Sequence, residues 1–254
     1  MSDVLRAETT TKPTAAWKGM VIQPAVVLLI LAAYIVWLAV ADLSASERAT
    51  LNPGDLLNYT GEHLALTFVS SAIVLVGAIP LGVLLTRRPF VRISGVILAL
   101  ANFGQAAPAI GLVVLLAFWL GFNFWAAVIA LVVYAALPVL RNTMVGIQGV
   151  DERLVESAKG MGMSSMSVLM RVELPLAVPV MLSGIRTALV LVVGSATLAT
   201  FIGAGGLGLL ITTGVNLFLP SVLISGALLV ALLALLIDWL GRIVEYYARP
   251  KGLR

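Results

Sequence analysis

The chain has 254 residues, of which 61% are hydrophobic and only 11% charged, with 16 Lys and Arg against 12 Asp and Glu. So little polar surface cannot coat a soluble globule of this size, and the chain is read as an integral membrane protein. The basic residues are scattered between apolar runs rather than gathered in a stripe with aromatics, which argues against nucleic acid as a partner. No cysteine and a single histidine, His63, exclude thiol chemistry, disulfides and His/Cys metal sites.

Residues 1–18 are polar and basic and are read as an N-terminal segment ahead of a transmembrane domain over 19–254; Ser2 stands where N-myristoylation requires glycine. A bilayer core of about 30 Å needs about 20 apolar residues at 1.5 Å each, so apolar runs can be counted as spans. The first, Met20–Ala41, ends in AVA before Asp42, like a signal-peptidase site. Its length exceeds the ~7–15 residues of a signal core, which favours a retained anchor. After a polar loop, Asp42–His63, comes the second span, Leu64–Leu85; the sequon Asn58-Tyr-Thr60 in the loop is assigned no role.

The third, Ile93–Leu120, is long and interrupted by Asn102, Gly104, Gln105 and Pro108. Pro108 removes a donor and disfavours helix at Ala107, so a kink is expected there. Phe124–Leu140, Ala177–Ile202 and Leu217–Leu240 complete six spans. Trp119, Phe122, Phe124 and Trp125 are read as an outer interfacial belt, and Tyr246 and Tyr247 as an inner one.

Lys and Arg fix the orientation. Arg6, Lys12, Lys18, Arg87, Arg88, Arg92, Arg141, Arg153, Lys159, Arg171, Arg242, Arg249, Lys251 and Arg254 fall on one side, and Arg48 alone on the other. Both termini and the loop 150–175 are therefore expected in the cytoplasm, with Asp42–His63 and Gly203–Asn216 facing outward.

In that loop Asp151 can cap a helix through Lys159, Gly160 and Gly162 can supply a turn, and Ser164 or Ser165 can cap a second helix ending at Pro175. Met166, Leu169 and Met170 fall at i, i+3 and i+4, an apolar face on an element in water. Met161 and Met163 add to it. Methionine suits a surface that must stay packed while its partner moves. The alternative is that these residues pack on the chain's own helix ends.

The spacing Glu156-Ser157-Ala158, three residues, Gly162, nine residues, then Val172-Glu-Leu174-Pro175 resembles the EAA signature of ATP-binding-cassette importer permeases, EAA-x3-G-x9-I-x-L-P, with Ser157 and Val172 as conservative departures. LALTFVSSAIVLVGAIPLGVLLTRR, YAALPVLRNTMVGIQGVD and SGIRTALVLVVGSATLATFIGAGGLG look like permeases of osmoprotectant importers for glycine betaine, carnitine or choline. Methionine-importer permeases share the GAGGLG end and are the near alternative. The resemblance implies an all-α type I importer fold (MetI-like), working beside a second permease subunit, identical or paralogous. It also implies a loop docked on separate ATPase subunits that bind ATP and Mg, an extracytoplasmic binding protein, and a bacterial cytoplasmic membrane. No cofactor and no catalytic residue is expected in the chain itself.

Gly203-Ala-Gly205-Gly206-Leu-Gly208 satisfies GxGxxG but ends a membrane helix instead of following a strand, so it is read as a tight reversal at the outer mouth. No GxxxxGK[ST] occurs, so ATP must act through a partner. Asn102, Gln105, Ser195, Thr197 and Thr200 are polar within spans and are candidates for a translocation route. The competing reading is helix-packing glue, for which Ser183/Thr187 and Ser195/Ala199 have the right small-xxx-small spacing. Arg186 is the only basic residue inside an apolar core and Asp238 the only acid in the sixth span; their depths allow a pair, the alternative being that Arg186 snorkels to the interface. A secondary transporter would need paired broken helices and an internal repeat, and only the third span is broken.

Overall fold

The computed structural model describes Thr14 to Ala248, with side chains from Met20 onward. The segment before Thr14, the basic residues Arg6, Lys12, Arg249, Lys251 and Arg254, and the side chain of Lys18 lie outside the described residues. The chain divides into two units, Met1–Ala41 and Asp42–Arg254. The described part of the first is helix α1, Thr14–Val40, which continues through Pro24; Tyr34 and Trp37 stack on it with centroids 5.9 Å apart.

The second unit starts with a short helix α2, Ala45–Thr50, closed by a capping box between Ser44 and Glu47. The Glu47 carboxyl is held below its usual range by the Ser221 hydroxyl and then by Ser44. Helix α3 runs Pro53–Leu85. The loop expected through His63 is thus largely helix. Asn52 accepts from Asp55 N at 2.9 Å and Pro53 occupies the first turn, so two start signals set the boundary at Pro53. His63, expected at a loop edge, is fully buried inside α3. With Thr67, Ser70 and Ser71 it forms a buried polar stripe at i, i+4, i+7 and i+8.

A 3₁₀ turn (Phe90–Ile93) leads to α4, Ser94–Ala106, and α5, Ala109–Leu120, which meet at an angle of 101°. The kink expected at Pro108 is therefore a full break. Helix α6, Phe124–Gln148, is the centre of the unit and packs against α3, α4, α5 and the later helix α9, Leu174–Ala196. Ala117, Ala126, Ala127, Ala130, Ala135, Ala188 and Ala196 line the core, so its helices approach through small side chains. After the loop helices come α9, Leu174–Ala196, a 3₁₀ turn (Thr197–Ile202), α10, Gly208–Asn216, and α11, Pro220–Ala248.

Contacts decide the crossing count. A Cβ at Gly82 would meet Thr143, one at Gly146 would meet Ala177, and Arg87 pairs with Glu173, so these residues share one end, which is also the basic end. Phe124, at the start of a 25-residue helix that finishes at that end, lies at the other. The bent pair α4–α5 must therefore carry the chain across as one broken span. With α1, α3, α6, α9 and α11, each long and apolar enough to cross a membrane, this gives six candidate spans among the described residues, all of them helical. The segment Gly203–Asn216, expected to face outward, contains α10, which packs against α11, with Leu207 and Leu210 fully buried.

Candidate functional site

Loop 150–175 is built from its caps. Asp151 Oδ1 accepts from Arg153 N at 2.9 Å and starts α7, Glu152–Gly160; Gly162 turns the chain at φ +83°; Ser164 Oγ accepts from Ser167 N at 3.3 Å and starts α8, Ser165–Val168. Gly160 belongs to α7, so Gly162 alone supplies the left-handed residue.

The second loop helix does not end at Pro175. A π turn over Leu169–Glu173 joins α8 to α9, and Ser165–Ile202 is one helical rod. The wider turn frees the carbonyl that the ring of Pro175 would otherwise meet, which lets the helix pass through it.

Glu156, Ser157 and Pro175 are exposed, Ala158 is buried, and Met163, Leu169 and Leu174 are half-buried. Met161, Met166 and Met170 are 76%, 62% and 57% exposed, so three of the four methionines do not pack on this chain. Behind them Glu173 is buried and forms a two-pronged ion pair with Arg87 at the end of α3; the Nη1–Oε1 arm is 3.1 Å and the Nη2–Oε2 arm shorter. This clamp ties the base of the loop to a second span.

At the opposite end a cleft of about 220 Å³ opens between the 3₁₀ turn and α10, lined by Thr197, Leu198, Phe201, Ile211, Thr212 and Asn216 among others. Of the route candidates only Thr197 lines it; Ser195 and Thr200 are half-buried nearby in sequence, and Asn102 (exposed) and Gln105 (half-buried) lie on α4, apart from it. Leu198 shares this wall with its sequence neighbour Thr197. Gly203, Gly205 and Gly206 have φ of +70°, +83° and +93°, and at Gly208 a Cβ would collide with the Thr197 carbonyl, so the two walls touch backbone to backbone.

Arg186 Nε lies 3.3 Å from Asp238 Oδ1, and Arg186 Nη1 lies 3.0 Å from Glu245 Oε2; Arg242 in turn reaches Asp238 Oδ2 at 3.0 Å. The pair read from sequence therefore sits in a group of four charges that sums to zero.

Residues 78–247 match the family described as binding-protein-dependent transport system inner membrane component. The chain belongs to that family. The chain is 41% identical over 203 residues to the glycine betaine/carnitine/choline transport system permease protein OpuCB of Bacillus subtilis, with 80% of this chain and 93% of that protein covered. It is 39% identical to the carnitine transport permease protein OpuCB of Listeria monocytogenes (80% and 92% covered), and 36% identical to the osmoprotectant import permease protein OsmW of Salmonella typhimurium (80% and 96%). Among solved structures it resembles the inward-facing MetNI methionine ABC transporter, with a TM-score of 0.68 at 25% identity, covering 82% of this chain and all of that one.

Sequence reasoning missed the parts played by Arg87, Glu173 and Glu245. Glu173 sits inside the motif as the residue between Val172 and Leu174, and an acid beside an apolar helix start was the available signal. Glu62 was missed too; its Oε2 accepts from Gly206 N at 2.8 Å, while His63 Nε2 lies 3.0 Å from Val193 O.

Proposed function

We propose that this chain is the permease subunit of an ATP-driven importer of quaternary-amine osmoprotectants of the glycine betaine, carnitine and choline class. What supports the solute class is the 41% identity to a permease of that name across 80% of the chain. The loop 150–175, with Glu156, Ser157, Gly162, Met166 and Met170 at its surface, docks on separate ATPase subunits that bind ATP and Mg. The basic end faces the cytoplasm of a bacterial cell, as do both termini. A binding protein delivers solute to the other end, where the glycine turn lies, and a second permease subunit, identical or paralogous, completes the route.

The exposed methionines and the rod above them support a mechanical reading. Ser165–Ile202 spans 38 residues, so a push on α8 travels without a hinge through the π turn and α9 to the turn carrying Thr197. Arg87–Glu173 makes α3 move with it. The chain contributes docking, rigidity and a passage, while bond-breaking chemistry belongs to the ATPase.

Reconstitution with an ATPase subunit and a binding protein of this transporter class tests the reading. Proteoliposomes should take up labelled choline, carnitine or glycine betaine only with ATP and Mg on the loop side. The likeness to the methionine transporter favours a second reading, and methionine uptake without osmoprotectant uptake would replace the first with it.

A further inference from the structure

Two consecutive residues of α3 hold both ends of the segment that forms one wall of the cleft. Nε2 of His63 meets Val193 O in the last turn of α9, and since a carbonyl only accepts, Nε2 carries the proton and donates. Glu62 Oε2 accepts from Gly206 N, thirteen positions further along. Between these two points lie Thr197, Leu198 and Phe201, all three on the cleft.

The fit at the second point depends on glycine: a Cβ at Gly205 would collide with the Glu62 carboxylate, and one at Gly206 would come 3.3 Å from His63 Nδ1. His63 is fully buried, yet its Nδ1 has no hydrogen-bond partner among the described residues. The imidazole is therefore held through Nε2 alone, and it meets the glycine turn by close fit. Glu62 is exposed, so its bond to Gly206 exchanges readily with water.

We infer that Glu62 and His63 are positioning residues that latch the Thr197–Ile202 wall to α3, and that the cleft widens when the latch releases. The inference rests on the transport reading for its consequence in uptake, and on geometry alone for the latch itself.

The test places a cysteine at Thr212 on the facing wall, in a chain with no other cysteine, and measures its labelling by a small polar thiol reagent in native membranes. Glu62→Ala and His63→Ala each remove a hydrogen bond and should speed labelling roughly ten-fold. Glu62→Gln still offers an acceptor to Gly206 N–H and His63→Gln still offers a donor to Val193 O, so both should stay within about two-fold of the parent. Glu62→Asp, short by one methylene but as polar as the parent, should label fast; it serves if an alanine variant does not reach the membrane.

In proteoliposomes the alanine variants should move several-fold less solute per ATP hydrolysed. Labelling of the alanine and Asp variants at the parent rate overturns the latch, as does equal labelling of the Ala and Gln variants. A parent complex that moves no osmoprotectant overturns the transport reading instead, and the labelling series still decides the latch.

Discussion

Arg87→Ala is the most informative single perturbation of the loop. It strands the Glu173 carboxylate, whose side chain is 8% exposed, under the π turn that joins α8 to α9. Removing one partner of a buried pair costs about 3–5 kcal/mol, because the remaining charge keeps its desolvation without compensation. Arg87 itself is 37% exposed, so water can enter the vacated space and the pair is partly screened; the expected loss is about 1–2 kcal/mol. For a chain of this size that is a fall in Tm of about 3–6 °C.

The double variant Arg87→Ala/Glu173→Ala leaves no orphan charge and should be less damaged than Arg87→Ala alone. The assay is thermal unfolding of the purified complex in nanodiscs, with ATPase copurification and coupled uptake measured on the same samples. Arg87→Ala should lower uptake more than copurification, since the docking face survives while its tie to α3 is lost. Strict additivity of the two substitutions, or a Tm change below about 1 °C for Arg87→Ala, would refute the clamp.

Gly162→Leu should leave the spans assembled yet abolish ATP-dependent uptake, because φ +83° strains any side chain there and redirects α8; uptake at the parent rate with normal expression refutes this. Met166→Glu should weaken ATPase copurification by placing a charge on the docking face, and unchanged copurification would mean that the methionines serve their own chain. Cysteine at Thr197 should label in a nucleotide-dependent way, with cysteine at the buried Ala199 as the unreactive control; equal labelling of both removes Thr197 from the route. Arg186→Ala and Asp238→Ala should each impair stability by about 1 kcal/mol, with the double variant less damaged than the sum; Asp238→Ala is softened because Arg186 retains Glu245, and full additivity refutes the coupling.

The spans were readable because an apolar run long enough to cross a bilayer has few other uses, and their cores needed little correction. Their ends did: Asn52 and Pro53 start α3 well before the apolar run begins, since a helix obeys its caps and not its hydropathy. Pro175 misled for the converse reason, because a wider turn removes the clash on which the stop signal depends. Arg186 and Asp238 could be paired from sequence because each is a lone charge in an apolar run and their depths agree. Arg87 and Glu173, 86 positions apart, had no such isolation: Arg87 belongs to a basic cluster that looks like a topology signal. His63 looked like a loop residue because nothing local shows that Val193 and Gly206 close over it.

The π turn at Leu169–Glu173 holds one residue more than an α-helical turn of the same rise. One residue corresponds to about 100° of rotation about a helix axis. The turn therefore acts as a phase setting between two surfaces that must each meet a different neighbour: Met166 and Met170 on the side of the loop, Gly184 and Ala188 against the other spans. Deleting Arg171 from this turn would keep Met166, Met170, Glu173 and the core residues of α9, yet point the methionines about a quarter-turn away from where they now face. Partner choice in such a subunit can thus change through one codon, with no alteration to the chemistry of either surface.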